Sequence, residues 1–182
     1  MKDLFYSQRF AKVCLLCLAS TLAPQWLNAK QLTLDEFVQL IPKWETPEGS
    51  HVTITGDEGH AYGLYQITDI MVEDYNRITG NQVAHVVAFD PIFSARIAKT
   101  VLAHYSRQIL EAGYEPNPRH WLYIWNGGGG AWQRVHNPVN DQKQRNLERY
   151  TTRARIHIKQ YNEEKRRQSP QGTQILQRWF NR

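Results

Sequence analysis

The sequence predicts a single, mainly α-helical domain with at most a small β-hairpin region. Three observations lead there. Apolar residues recur at three- and four-residue steps in five segments, proline and glycine mark where those segments stop, and one short β-branched run, His51 to Thr55, is the only plausible source of a strand pair.

The elements follow in chain order. Lys2, Arg9 and Lys12 precede an apolar run, Val13 to Ala23, that is too short to span a bilayer as a helix, which is the pattern of a secretory signal peptide. An uncleaved anchor or a buried core helix is the competing reading. Cleavage after Ala29 fits best, so 1–29 is expected to be a leader, 30–162 the folded domain and 163–182 a charged, solvated tail, with Ile175, Leu176, Trp179 and Phe180 docking back on the domain as one turn.

Thr33 followed by Glu36 is a capping box, and Leu34, Phe37, Val38, Leu40, Ile41 and Trp44 form an apolar stripe behind it. Pro42 should kink this helix and Pro47 should end it. Thr68 caps a second helix with Ile70, Met71, Tyr75 and Ile78 inward, and Gly80 stops it. Asp90-Pro91 opens the clearest helix, along which Phe93, Ile97, Val101, Tyr105 and Ile109 recur until Gly113. Asn117-Pro118 starts a shorter one with Trp121, Ile124 and Trp125, which runs to the four glycines after Asn126. The last places Leu147, Tyr150, Ala154, Ile158 and Tyr161 on one face.

Composition narrows the function classes. Both cysteines, Cys14 and Cys17, fall in the leader, so the mature chain has neither disulfides nor thiolate metal sites. The net charge is +5, and Lys2, Arg9 and Lys12 against Asp3 account for two of it, leaving about +3 after export. That mild excess suits an anionic partner without selecting one. No basic stripe is interleaved with stacking aromatics, so nucleic acid is not expected as a partner, nor is membrane insertion after the leader is removed. His51, His60, His85, His104, His120, His136 and His157 show no metal spacing, and Gly127 to Gly130 follows a helix instead of opening one. No metal or cofactor is called for, and no Gly-x-Ser-x-Gly elbow is present.

One carboxylate stands out. The pattern puts Glu45 at the last turn of an apolar helix, beside Trp44, where partial desolvation and the negative end of the helix both raise its pKa. A carboxyl kept protonated near neutral pH is what glycosidic cleavage needs, because the leaving oxygen must receive a proton. An ordinary solvated helix-end glutamate is the competing reading.

The stretch Gly56 to Thr68, GDEGHAYGLYQIT, combines bends with flat rings. Trp44-Glu45-Thr46, then Gly56-Asp57 leading into Ala61-Tyr62-Gly63-Leu64-Tyr65-Gln66-Ile67, resembles the "E-S … G-L-M-Q-I" signature of soluble lytic transglycosylases and related lysozyme-like proteins. Asp74 to Ile78 and Ile124-Trp125-Asn126-Gly127-Gly128 resemble later blocks of a bacterial and phage-associated branch of that superfamily. Four blocks in order cover about Thr33 to Tyr161.

The resemblance implies a lysozyme-like α+β fold and cleavage of β-1,4 bonds between N-acetylmuramic acid and N-acetylglucosamine in peptidoglycan; the leader implies export to the periplasm or outside the cell, and a monomer is expected. It implies Glu45 as general acid, and a loop in which Gln66 bonds an N-acetyl group, Tyr62 offers a ring to a sugar and Gly63 lets the backbone approach the ligand. It matches Asn126 and Gly127 to the segment that orients the acid and touches substrate, and Tyr150 to a final-helix tyrosine that bonds the acid.

The chain departs from the pattern at one point. Counting back from Gly63, the usual offset falls on Glu48, so Glu48 takes the role if the loop has no insertion. Asp57 or Glu58 could activate a water in an inverting lysozyme, whereas a transglycosylase needs no second carboxylate, and the sequence leaves both open. A wall-binding or assembly module and a chitinase-like or chitosanase-like enzyme are the alternative readings. Any recruiting machinery, whether an envelope apparatus or a phage-derived system, has no signature in the residues.

Overall fold

A computed structural model describes residues 32–168. The expected leader and its cleavage point, and the docking turn at Ile175 to Phe180, lie outside the described residues. The fold is mainly α with one small antiparallel sheet, as the periodicity predicts. Among the described residues, no helix is long and apolar enough to cross a membrane.

Helix α1, Leu34–Leu40, starts as a complete capping box: Glu36 N–H donates to Thr33 Oγ1 at 3.2 Å, and Thr33 N–H donates back to Glu36 Oε2 at 2.8 Å. Pro42 breaks the run at Ile41, and one further turn follows as α2, Pro42–Glu45. That break turns Trp44 into the core while Glu45 ends the turn half-buried.

The sheet lies later than expected. The β-branched run at His51 to Thr55 supplies only its last residue, because Ile54 N–H closes a turn on the His51 carbonyl at 3.0 Å and the Thr53 hydroxyl sits 2.8 Å from His51 Nδ1. The strands are β1, Thr55–Gly56, β2, Ala61–Tyr62, and β3, Ile67–Thr68, in the order β1-β2-β3, with Gly56 opposite Ala61 and Tyr62 opposite Ile67. The glycine-rich stretch is therefore the sheet itself. Its first connection bends through Asp57, Glu58 and Gly59, all at positive φ.

Helix α3, Asp69–Thr79, is capped by Thr68 and closed by Gly80 in the left-handed region. Met71, Val72 and Tyr75 face the core. Ile70, expected inward, is 67% exposed, since the capped first turn rotates Met71 and Val72 onto the buried face. A 3-10 segment, His85–Phe89, leads to α4, Pro91–Glu111, whose cap Asp90 accepts from Ile92 N–H at 2.8 Å. Helix α5, Pro118–Gly127, is capped by Asn117 and followed by a 3-10 segment, Gly129–Val135.

Helix α6, Gln142–Gln168, continues past the residue 163 at which a solvated tail is expected to begin. Glu163 to Gln168 are all helix formers, and Glu36 of the capping box takes the Lys165 ammonium as an ion pair and the Tyr161 hydroxyl at 3.3 Å. The core gathers on Phe37, whose ring lies 5.5 Å from Trp44 and 5.2 Å from Trp121. It therefore joins α1, α2 and α5, with α6 packed across α1, α2 and α5.

Candidate functional site around Glu45

Glu45, at the end of α2, is held by residues from two other helices. Trp125 Nε1–H, near the end of α5, donates to Glu45 Oε1 at 2.7 Å. The Tyr150 hydroxyl, from the middle of α6, donates to the same oxygen, and its own oxygen accepts from Trp44 Nε1–H at 2.8 Å. All three aromatic residues are buried, with exposures of 6% for Trp44, 9% for Trp125 and 7% for Tyr150. The result is a hydrogen-bond chain from Trp44 through Tyr150 to Glu45, crossed by a second donor.

Burial pushes the Glu45 carboxyl above its ordinary value; the donors Tyr150 and Trp125 and the charge of Arg153 pull it down without cancelling that effect. The Tyr150 hydroxyl is raised in turn by burial and by the adjacent carboxylate, so it stays a donor. Both donors converge on Oε1. When the carboxyl is protonated, the proton therefore belongs on Oε2, where it displaces neither bond.

The expected site residues divide. Glu45 and Tyr150 are in direct contact, as the resemblance implies. Glu48 lies exposed in the turn after Pro47, with none of this enclosure. The Gly63 to Gln66 turn sits beside the acid's helix, because Thr46 Oγ1–H reaches the Leu64 carbonyl at 3.4 Å.

Within that turn the side chains face inward more than a ligand loop requires. Gln66 Nε2–H donates to the Gly63 carbonyl at 2.8 Å, and its Oε1 lies against Gly56. Gly63 has φ +72°, and a Cβ there would stand 2.1 Å from the Ala88 carbonyl oxygen, so its missing side chain admits protein backbone. Tyr62 departs furthest from expectation. Its ring is parallel to His85 at 3.9 Å and to Phe89 at 4.6 Å, and two parallel rings that near cannot share one face, so both faces are covered by protein. Neither is open to a sugar.

Asn126 is exposed, and it is its neighbour Trp125 that reaches the carboxylate. Gly127 serves packing, since a Cβ there would meet Ala131 Cβ at 2.7 Å and Leu147 Cδ2 at 2.9 Å. Trp125 has no place among the sequence-derived candidates because its helical spacing marks it as core, which it is; only its indole N–H carries the added role. Asp57 and Glu58 sit exposed on the β1–β2 connection.

Comparison with known proteins gives no assignment: no family model, no curated protein and no solved structure matches the chain.

Proposed function

We propose that this chain is an exported glycosidase that cleaves the β-1,4 bonds of peptidoglycan glycan strands, with Glu45 as general acid. One observation carries the reading: a single half-buried carboxyl, raised in pKa by burial, is fixed through one oxygen by Tyr150 and Trp125. A group so held keeps its proton to higher pH than an ordinary glutamate and presents it from Oε2 in one direction. Donation to the glycosidic oxygen lets the C–O bond break; the oxocarbenium-like carbon is captured by the sugar's own C6 hydroxyl or by a water, which gives up a proton, and the Glu45 carboxylate left by the donation is stabilised by the two donors already in place. Tyr150 and Trp125 thus act as positioning residues, and no metal or cofactor enters the step.

The test separates turnover from binding. Purified peptidoglycan is incubated with the wild-type chain and with Glu45→Gln, and both release of soluble fragments and co-sedimentation with the insoluble wall are measured. The reading expects release lost by about three orders of magnitude or more and sedimentation retained. No release by either chain, with both sedimenting equally, would instead make the protein a wall-binding module, and activity on a chitin oligomer alone would redirect it to a chitinase-like substrate.

A further inference from the structure

Away from Glu45, a groove of about 450 Å³ opens between Tyr114, in the connection from α4 to α5, and the 3-10 segment Gly129–Val135 with the residues that follow it to Val139. It shares no lining residue with the groups that hold the Glu45 carboxylate. Its volume falls within the roughly 300 to 1,000 Å³ of small-molecule sites. Tyr114 forms one wall, 39% exposed, and Val139 another, 51% exposed. Gln133 and Asn137 place planar amides on the lining.

The Tyr114 ring is braced on one face by residues that also line the groove. His136 stacks on it at 3.6 Å and 16°, and Trp132 meets its edge at 6.3 Å. His136 is itself tied down, with its Nε2 2.8 Å from Nε2 of the fully buried His120. An exposed aromatic usually keeps its rotamer freedom; here the half-buried His136, anchored on the buried His120, holds it in place, so docking a ligand on it costs little ordering entropy. Arg134, the one formally charged residue in the lining, faces both oxygens of Asp141 at 2.9 Å, which cancels its charge while leaving other guanidinium N–H groups.

We infer that this groove is a second glycan-binding site, in which a pyranose ring of an N-acetylated polysaccharide packs on Tyr114 and its acetamido and hydroxyl groups bond Gln133 and Asn137. Ring, aliphatic edge and planar amides without net charge suit a neutral polyol bearing apolar faces; an anionic partner would call for unpaired cations. The site would hold a strand independently of the reacting bond and raise the local concentration of substrate at Glu45 if both engage one wall. It stands on residues distinct from those of the proposed reaction.

The experiment is a titration of the full chain carrying Glu45→Gln with the β-1,4-linked N-acetylglucosamine tetramer, followed by amide and indole NMR shifts. The expected result is saturable shifts at Gly130, Gln133, Asn137 and the Trp132 indole, weakened at least about tenfold by Tyr114→Ala and kept by Tyr114→Phe. Shifts confined to Trp125 and its surroundings, shifts at the groove indifferent to Tyr114→Ala, or no shifts at all would overturn the inference. Fragment release from peptidoglycan is read separately, so loss of the groove site and loss of the enzymatic reading remain distinguishable.

Discussion

Tyr150 stands 105 residues from Glu45 in sequence and donates its hydroxyl to Glu45 Oε1. That contact ties α6 to the end of α2, and it opposes the effect of burial on the protonation of Glu45.

Tyr150→Phe removes a bond that favours the carboxylate, so the Glu45 pKa rises further. Since the proposed acid works only when protonated, the alkaline limb of the pH–rate profile should move to higher pH, with Trp125→Phe moving it the same way. Tyr150→Phe also strips Trp44 Nε1–H of its buried acceptor, and a stability loss of about 1 to 3 kcal/mol should appear in denaturant titration. A purely structural Tyr150 would lower stability and leave the pH limb unmoved.

Glu45→Gln should alter stability in a pH-dependent way. A carboxyl whose folded pKa is raised contributes stability below its unfolded pKa that is lost as pH rises through the folded pKa. The wild type should therefore weaken relative to Glu45→Gln as pH increases across that range. Thermal melts of both chains from pH 4 to 8 check this, and a constant gap would remove desolvation as the cause of the shift.

His120 predicts the acid side. Burial, followed by the neighbouring His136 and Arg119, holds its imidazole down to about 4. A histidine lowered this way contributes stability that is present above its unfolded pKa and lost as pH falls from there through about 4. The loss should be on the order of 3 kcal/mol between those limits. His120→Phe should flatten that part of the stability curve; an unchanged curve would place the acid sensitivity elsewhere.

Glu36 couples the first helix to the last. The Lys165 ammonium first, and the Thr33 backbone N–H next, hold its carboxyl down to about 2. Its stabilising effect is present above its ordinary carboxylate pKa and fades as pH falls through about 2. Lys165→Met should speed amide hydrogen exchange at Asn162 to Gln168 at neutral pH while leaving the amides around Ala154 protected, because only the far end of α6 depends on the clip.

Gly63→Ala tests the turn beside the acid. With φ at +72° and the Ala88 carbonyl in the way, a cost of about 2 kcal/mol or more is expected in chemical denaturation. A near-neutral effect would mean that the turn relaxes freely.

Much of this fold is legible in the residues, because caps and stripes are local signals. Thr33, Thr68, Asp90 and Asn117 each cap the helix assigned to them, and Pro42 breaks the one it should. The misplaced strands have a physical cause. Valine and threonine at 52 and 53 read as strand formers, yet a histidine–hydroxyl contact offers the backbone a turn instead, while strands of two residues each are too short to leave a compositional mark. Glu163 to Gln168 read as a solvated tail because charge patterns do not disclose an anchor as distant as Glu36.

At the candidate site, local context picks out Glu45 over Glu48, since helix-end burial is a property of neighbouring residues. Trp125 is hidden for the opposite reason: one polar atom on a core side chain leaves no periodic trace. Tyr62 fails as a sugar platform because His85 and Phe89, more than twenty residues on, fold over both its faces.

The most direct test of the central claim is mass spectrometry of fragments released from purified peptidoglycan by the wild-type chain, by Glu45→Gln and by Glu48→Gln. The account predicts glycan fragments from the wild type and from Glu48→Gln and none from Glu45→Gln, with anhydro ends marking a transglycosylase and reducing ends a lysozyme. Fragments from Glu45→Gln at the wild-type rate, or none from the wild type on several peptidoglycans, would contradict it.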